Sequence, residues 1–430
     1  MSAIITHNFK IQNAINFANS LKNSNYYVTI GRVEDWDKGF DLVPTNTLNT
    51  YRSLWDNMIG GKAIQENRIS LVIPKIEWVQ GMIYAMYDDS DSDLYNKNFY
   101  VMTDDRNIYK CLFNNNGGPS NIKPTGTGIS SIELSDGYVW KFMSTISLDD
   151  LAKFDVDNYI PVTDTPLQDS NQEIVMKAAV AGTIDTIKVD DGGLGYINPI
   201  INISGDGEGA TAQAIMNGTS IDKIKILTPG KNYTHATITI TSDEQPTAVA
   251  SLRAIISPNE GHGYNIVKEL YANRVMISAD LEYDEGGKLP VTNDFRIITL
   301  LDNPTFREVE LLDGEEEDEH INEVFSQLTK ITLSGEYSEL QEDDIITGLT
   351  SGAEAKIVSI SADGTMLVNN VRGEFILSET IKCNNIQVTI NSITLPDLIR
   401  DTGNFVYIDY RKPISRAEDQ KEKIRVILQF

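Results

Sequence analysis

The chain has 430 residues, a formal charge of −26 from 62 acidic and 36 basic side chains, and 41% hydrophobic residues. That length predicts about two to four packing units, and the acid excess opposes any function built on neutralising nucleic-acid phosphates or an anionic membrane surface. The opening MSAIITHNFK lacks the basic, apolar and small-residue pattern of a signal peptide, and no run of about 18 apolar residues occurs, so a soluble, unexported polypeptide is expected.

In chain order, HNFKIQNAINFANSLKNSN predicts an amphipathic helix with Thr6 as N-cap and an apolar face of Phe9, Ile11, Ile15, Phe17 and Leu21. YYVTIG at 26–31 predicts a strand, and Thr45 to Ile59 predicts a second helix stopped by Gly60 and Gly61. Next come short β-branched and aromatic runs, SLVIPKIEW, NFYVMT, IYKCLF and GYVWKFMSTI, separated by turn formers. From about residue 166 an internal repeat appears at an offset of 37 positions, pairing Ile184 with Ile221, Gly193 with Gly230, Tyr196 with Tyr233 and Asp206 with Asp243. Each copy reads strand, turn, strand, turn, strand, and one copy cannot bury its own apolar face, so the two are expected to pack as a duplicated β module.

The stretch 313–344 holds twelve acidic residues against Lys330 alone, and concentrates much of the charge. Beyond it AEAKIVSI, GTMLVNNV, GEFILSETIK and NIQVTINSI predict a further β module, and FVYIDY and KIRVILQF predict two final strands around a basic turn. The expected fold class is mainly β with a few short helices (β-rich α+β): a discontinuous core domain of 1–165, 259–312 and 397–430, with two inserted small β modules at 166–258 and 313–396.

Candidate chemistry is sparse. Cys111 and Cys383 are too few for a disulfide framework and are read as buried small hydrophobes. None of His7, His235, His262 and His320 stands at metal-ligand or triad spacing. The GGK elements at 60–62 and 286–288 lack the rest of a phosphate loop. Asp89, Asp91 and Asp93 begin like a calcium loop, but Leu94 stands where a glycine is needed and Tyr100 where a bidentate Glu is needed, so a solvated acidic tip is expected. GDGEG at 205–209 lies between predicted strands and reads as a turn, and the acidic run Glu315 to Glu319 reads as a solvated loop or, more sharply, as a docking segment for a basic partner. No catalytic residue, metal or cofactor is expected.

Seven segments in order carry a resemblance: YVTIGRVEDW at 27–36, LWDNMIGGKAI at 54–64, VIPKIEW at 72–78, YKCLFNNNGGPS at 109–120, SDGYVWKFMSTIS at 135–147, FRIITLLDNP at 295–304 and the ending from 401 to 430. Together they resemble the gene 8 product family, baseplate wedge proteins of T-even-like contractile-tailed bacteriophages. The resemblance covers about 1–165, 260–312 and 398–430. The two further modules resemble β units added to tail proteins of related phages, particularly those infecting cyanobacteria. It implies a mainly β structural protein with no enzymatic activity, a homodimer, other baseplate wedge proteins as partners, a place in the virion tail baseplate after assembly in the host cytoplasm, and no nucleic-acid or membrane partner.

On that view Trp36, Trp55, Trp78 and Trp140 are core residues, with one or two at a dimer contact. The slightly cationic C-terminal end supplies a candidate interface of Arg411, Lys412 and Arg416. A competing function is host-surface or carbohydrate binding by the inserted modules, through Tyr196 and Tyr264 in Gly-Tyr turns; the alternative for those rings is packing onto their own sheet.

Overall fold

The computed structural model describes residues 3–32, 43–154, 156–290, 294–307, 323–417 and 420–430. The fold is mainly β with a few helices, as expected. The chain divides into two compact units, one of Met1–Asn16, Ser70–Met276 and Ile427–Phe430, the other of Phe17–Ile69 and Ile277–Val426.

The first helix runs His7–Asn23, and the Thr6 hydroxyl accepts the Phe9 N–H at 3.2 Å as an N-cap. Its buried stripe is Ile11, Ala14, Ala18 and Leu21, whereas Phe9 is 57% exposed. The large side chains alone misplaced the face, because two small alanines, and not Phe9, occupy its buried stripe. The second helix, Leu48–Asn57, is capped by Thr47. Gly60 and Gly61 do not stop it; they lie in the strand Met58–Ala63. A Cβ on Gly61 would meet Val28 O at 2.7 Å and the Phe325 ring at 2.8 Å, so glycine is needed there for close strand packing.

In the first unit a four-stranded sheet orders Tyr100–Met102, Asn107–Asn114, Tyr138–Thr145 and Ile132–Glu133. Tyr84, Tyr109, Cys111, Tyr138, Trp140 and Phe142 form one of its cores, with Tyr138 stacked on Trp140 at 5.5 Å. Both cysteines are buried and free.

The repeat folds as six strands of the same unit: Ile184–Asp191, Ile200–Gly205 and Glu208–Asn217 from copy one, Ser220–Lys231, Ala236–Thr241 and Ser251–Ile256 from copy two. The first strand of each copy pairs with the third strand of the other, and the two second strands pair with each other. In that central pair Ile200 faces Thr241 and Ser204 faces Thr237, while Asn202 faces Thr239, its own equivalent in the repeat. This is the pattern of a pseudo-twofold axis through the Asn202–Thr239 pair. The third strands correspond at an offset of 40, not 37: Ile187 faces Ala254 where Ile224 faces Ala214. The three additional residues fall in the last turn of copy two. The exchange gives each copy the apolar cover that it lacks alone, with Ile184, Ile187, Ile201, Tyr233 and Ala254 at the centre.

In the second unit a five-stranded sheet orders Val324–Ser326, Met58–Ala63, Tyr26–Gly31, Asp294–Asp302 and Asn404–Ser415. Tyr27, Trp55, Met58, Leu301, Phe325 and Leu398 pack on it. Residues Thr329–Ser334 through Ile386–Thr394 close into a six-stranded barrel. Its inward positions, including Ile331, Ile346, Ile357, Met366, Val368 and Ile390, are buried. Closure leaves the barrel no sheet edge of its own.

Candidate functional site

Of the candidate basic residues, Arg411 and Lys412 lie in a strand, not a turn, and Arg416 directly follows it. Asn404–Ser415 is the edge of the five-stranded sheet and pairs antiparallel with Asp294–Asp302, with Ile297 facing Tyr410, Thr299 facing Ile408 and Leu301 facing Phe405. Strand Asp294–Asp302 is buried from Phe295 to Leu301, so its neighbour has one side against a core and the other toward solvent. Phe405 reaches inward, 5.6 Å from the Trp55 ring. Val406 stays 44% exposed, and Arg411 and Lys412 are exposed at the far end of the strand.

These three basic residues are not one surface. Arg411 pairs with Asp409 at 2.5 Å, and the same carboxylate accepts the Tyr407 hydroxyl at 3.1 Å. Arg416 is buried: its guanidinium donates to Pro290 O at 2.9 Å and to Tyr283 O, and lies 3.2 Å from Glu422. A side chain holding two carbonyls from inside anchors the 283–290 segment and does not offer charge to a partner. Sequence spacing cannot separate the two roles, since both are arginines two to five residues from acids.

A second polar constellation was missed by sequence reasoning. Lys110, in the middle of the strand Asn107–Asn114, is fully buried and meets Glu269 Oε2 at 2.7 Å and His262 Nδ1 at 2.9 Å. Glu269 also accepts the Gly263 N–H at 2.8 Å, and the Tyr87 ring lies 4.0 Å from the lysine nitrogen. Burial pushes the Glu269 carboxyl up, but the Lys110 charge and the contacts with His262 and Lys110 together outweigh it and leave the group at about 2. Burial, then the Lys110 charge, pushes His262 down, so the imidazole is neutral and accepts from the ammonium. The available signal was a lysine inside the apolar run IYKCLF. The arrangement is a closed network of donors and acceptors that ties the Ile266–Glu269 helix and the GHGY turn to the sheet.

The calcium-like tip is likewise occupied by its own chain. Asp88 accepts Ser90 N–H and Arg253 at 2.5 Å, and Asp91 accepts Asp93 N–H and Lys97 at 2.6 Å. Among the described residues no group of three or more His, Cys, Asp or Glu could hold a metal, and no helix is long and apolar enough to cross a membrane. GDGEG is a turn, in which Asp206 accepts the N–H groups of Thr234 and His235 at 2.9 and 3.1 Å. Of the Gly-Tyr turns, Tyr196 is buried and its hydroxyl accepts the Ala250 N–H at 2.8 Å, whereas Tyr264 is 43% exposed. Trp55 and Trp140 are buried, and Trp78 is half-buried with its indole N–H on Ser120 Oγ at 3.0 Å. Trp36 and the run Glu315 to Glu319 lie outside the described residues.

No protein-family profile matches the chain. It is similar to the baseplate wedge protein gp8 of Enterobacteria phage T4, with 25% identity over 189 residues, 34% of this chain and 56% of that protein. The chain therefore spans only about half the length of the curated relative that it matches.

Proposed function

We propose that the chain is a structural subunit of a bacteriophage contractile-tail baseplate wedge, holding wedge subunits together through protein–protein interfaces during tail assembly and contraction. The observation that carries this reading is the similarity to a baseplate wedge protein. Two further features support it. The Lys110 and Asp88–Asp91 clusters are consumed by internal pairing, and the five-stranded sheet ends in a twelve-residue edge strand, NFVYIDYRKPIS, with Val406 exposed. The first part of that strand is a template for pairing with another chain, while Lys412 and Pro413 blunt the rest of the edge.

In this reading the protein forms a homodimer, its partners are other wedge proteins, it has no catalytic role, and it works in the virion after assembly in the host cytoplasm. The duplicated module and the barrel are additions to a wedge core. Arg411 and Lys412 contribute to the partner interface, and Arg416 supports the strand from within.

The test is co-purification. Reversing Arg411 and Lys412 to Glu is expected to leave the thermal transition unchanged and to weaken association with the wedge proteins, most strongly at low salt. Unaltered recovery with those proteins at every salt concentration would contradict the interface. Light scattering of the purified protein is expected to give a dimer mass.

A further inference from the structure

The pseudo-twofold module contains its own control. Positions on one half have equivalents on the other, and where both equivalents are exposed, residues that the fold itself requires should match. Inside they do: Tyr196 accepts the Ala250 N–H and Tyr233 accepts the Ala210 N–H, and Gly193 and Gly230 share φ of 61° and 65°. Outside they do not. Leu194, Ile197 and Ile200 are 54%, 41% and 61% exposed, and their equivalents Lys231, Thr234 and Thr237 are exposed polar residues. Leu194 faces Ala248 where Lys231 faces Glu208, and there the two charges pair at 3.2 Å. Val249, 78% exposed, follows on the ladder partner of Leu194. The polar half carries one exposed large aliphatic, Leu227, opposite Asp190 in the repeat.

The polar half demonstrates that this fold is satisfied with Lys, Thr and Thr at the three positions. The apolar residues are therefore not there to hold the module together, and exposing them to water has a cost that something else must offset. The run 194–200, in which Leu194 faces Ala248 and Ile200 faces Thr241, is flanked along the chain by exposed Asp190, Asp191, Asp243 and Glu244, of which Asp190 lies 3.4 Å from Lys188. Only the third of these has an acidic equivalent, Asp206.

We infer that the Leu194–Ile200 face is a docking surface for a different protein, one that presents an aliphatic strip flanked by lysine or arginine. A second copy of this chain would set the acidic edge against itself, which like-charge repulsion disfavours. The inference stands on the internal comparison and does not depend on the wedge assignment.

The test uses the full chain and a variant that copies the polar half onto the apolar one: Leu194→Lys, Ala248→Glu, Ile197→Thr and Ile200→Thr. Net charge is unchanged, so general attraction to cations is held constant. The probe is a fluorescent peptide of alternating isoleucine and lysine, read by anisotropy, with an isoleucine–glutamate peptide as control. The expected results are an unchanged melting profile for the variant, binding of the lysine peptide to the natural chain, at least about tenfold weaker binding to the variant, and no binding of the glutamate peptide. Equal binding of the lysine peptide to both proteins would overturn the proposal, as would equal binding of both peptides to the natural chain. A sedimentation mass that falls in the variant alone would also overturn it, by making a second copy the occupant.

Discussion

Lys110 shows how a single side chain can be decisive without being exposed. Removing one member of a buried ion pair leaves the other charged and unpaired, which typically costs about 3–5 kcal/mol, whereas replacing both by apolar residues costs far less. Lys110→Met is therefore expected to destabilise the first unit by that order and Lys110→Met with Glu269→Met by much less, read as hydrogen-exchange protection of 107–114. The pH dependence has a definite sign. His262 binds its proton less readily folded than unfolded, so its contribution is complete above the ordinary imidazole value, about 6.5, and declines as pH falls below it. Glu269, depressed to about 2, loses its contribution only below about 4.3. Denaturation midpoints should thus fall between pH 7 and 5, and His262→Gln should flatten that part of the curve; an unchanged slope would show that the imidazole is not held neutral.

At the level of elements, the paired tyrosines make a graded prediction. Tyr196→Phe and Tyr233→Phe each strand a backbone N–H, at a typical cost of about 1–3 kcal/mol. The first should be the more damaging, since its hydrogen bond is 2.8 Å against 3.4 Å. Gly61→Ala should disrupt the pairing of Met58–Ala63, because both Val28 O and the Phe325 ring stand under 3 Å from the added carbon; proteolysis of the second unit would report it. Strands were the most legible elements in the sequence. YYVTIG is a strand from end to end, and alternating runs such as NIQVTINSI fall on barrel strands, because period-two patterning records which face is buried. The repeat was legible from identities, but not the strand exchange, since side-chain spacing within a copy says nothing about which copy supplies the partner. Glycines misled where close packing and turn geometry call for the same residue, and Arg411 and Arg416 differ only in three-dimensional surroundings.

For the whole molecule, the net charge of −26 opposes non-specific self-association and makes any association with a basic partner dependent on salt. In a wedge subunit that charge accompanies a fold whose Lys110 and Asp88–Asp91 clusters are paired internally and whose outward features include an edge strand and an aliphatic strip. The reconstruction of intact tail particles tests the proposal most directly. Density for a six-stranded barrel and a pseudo-twofold six-stranded module, belonging to one chain and repeated around the baseplate wedges, is the predicted result. A particle in which this chain is missing from the baseplate, or is found only in the sheath or capsid, would contradict it.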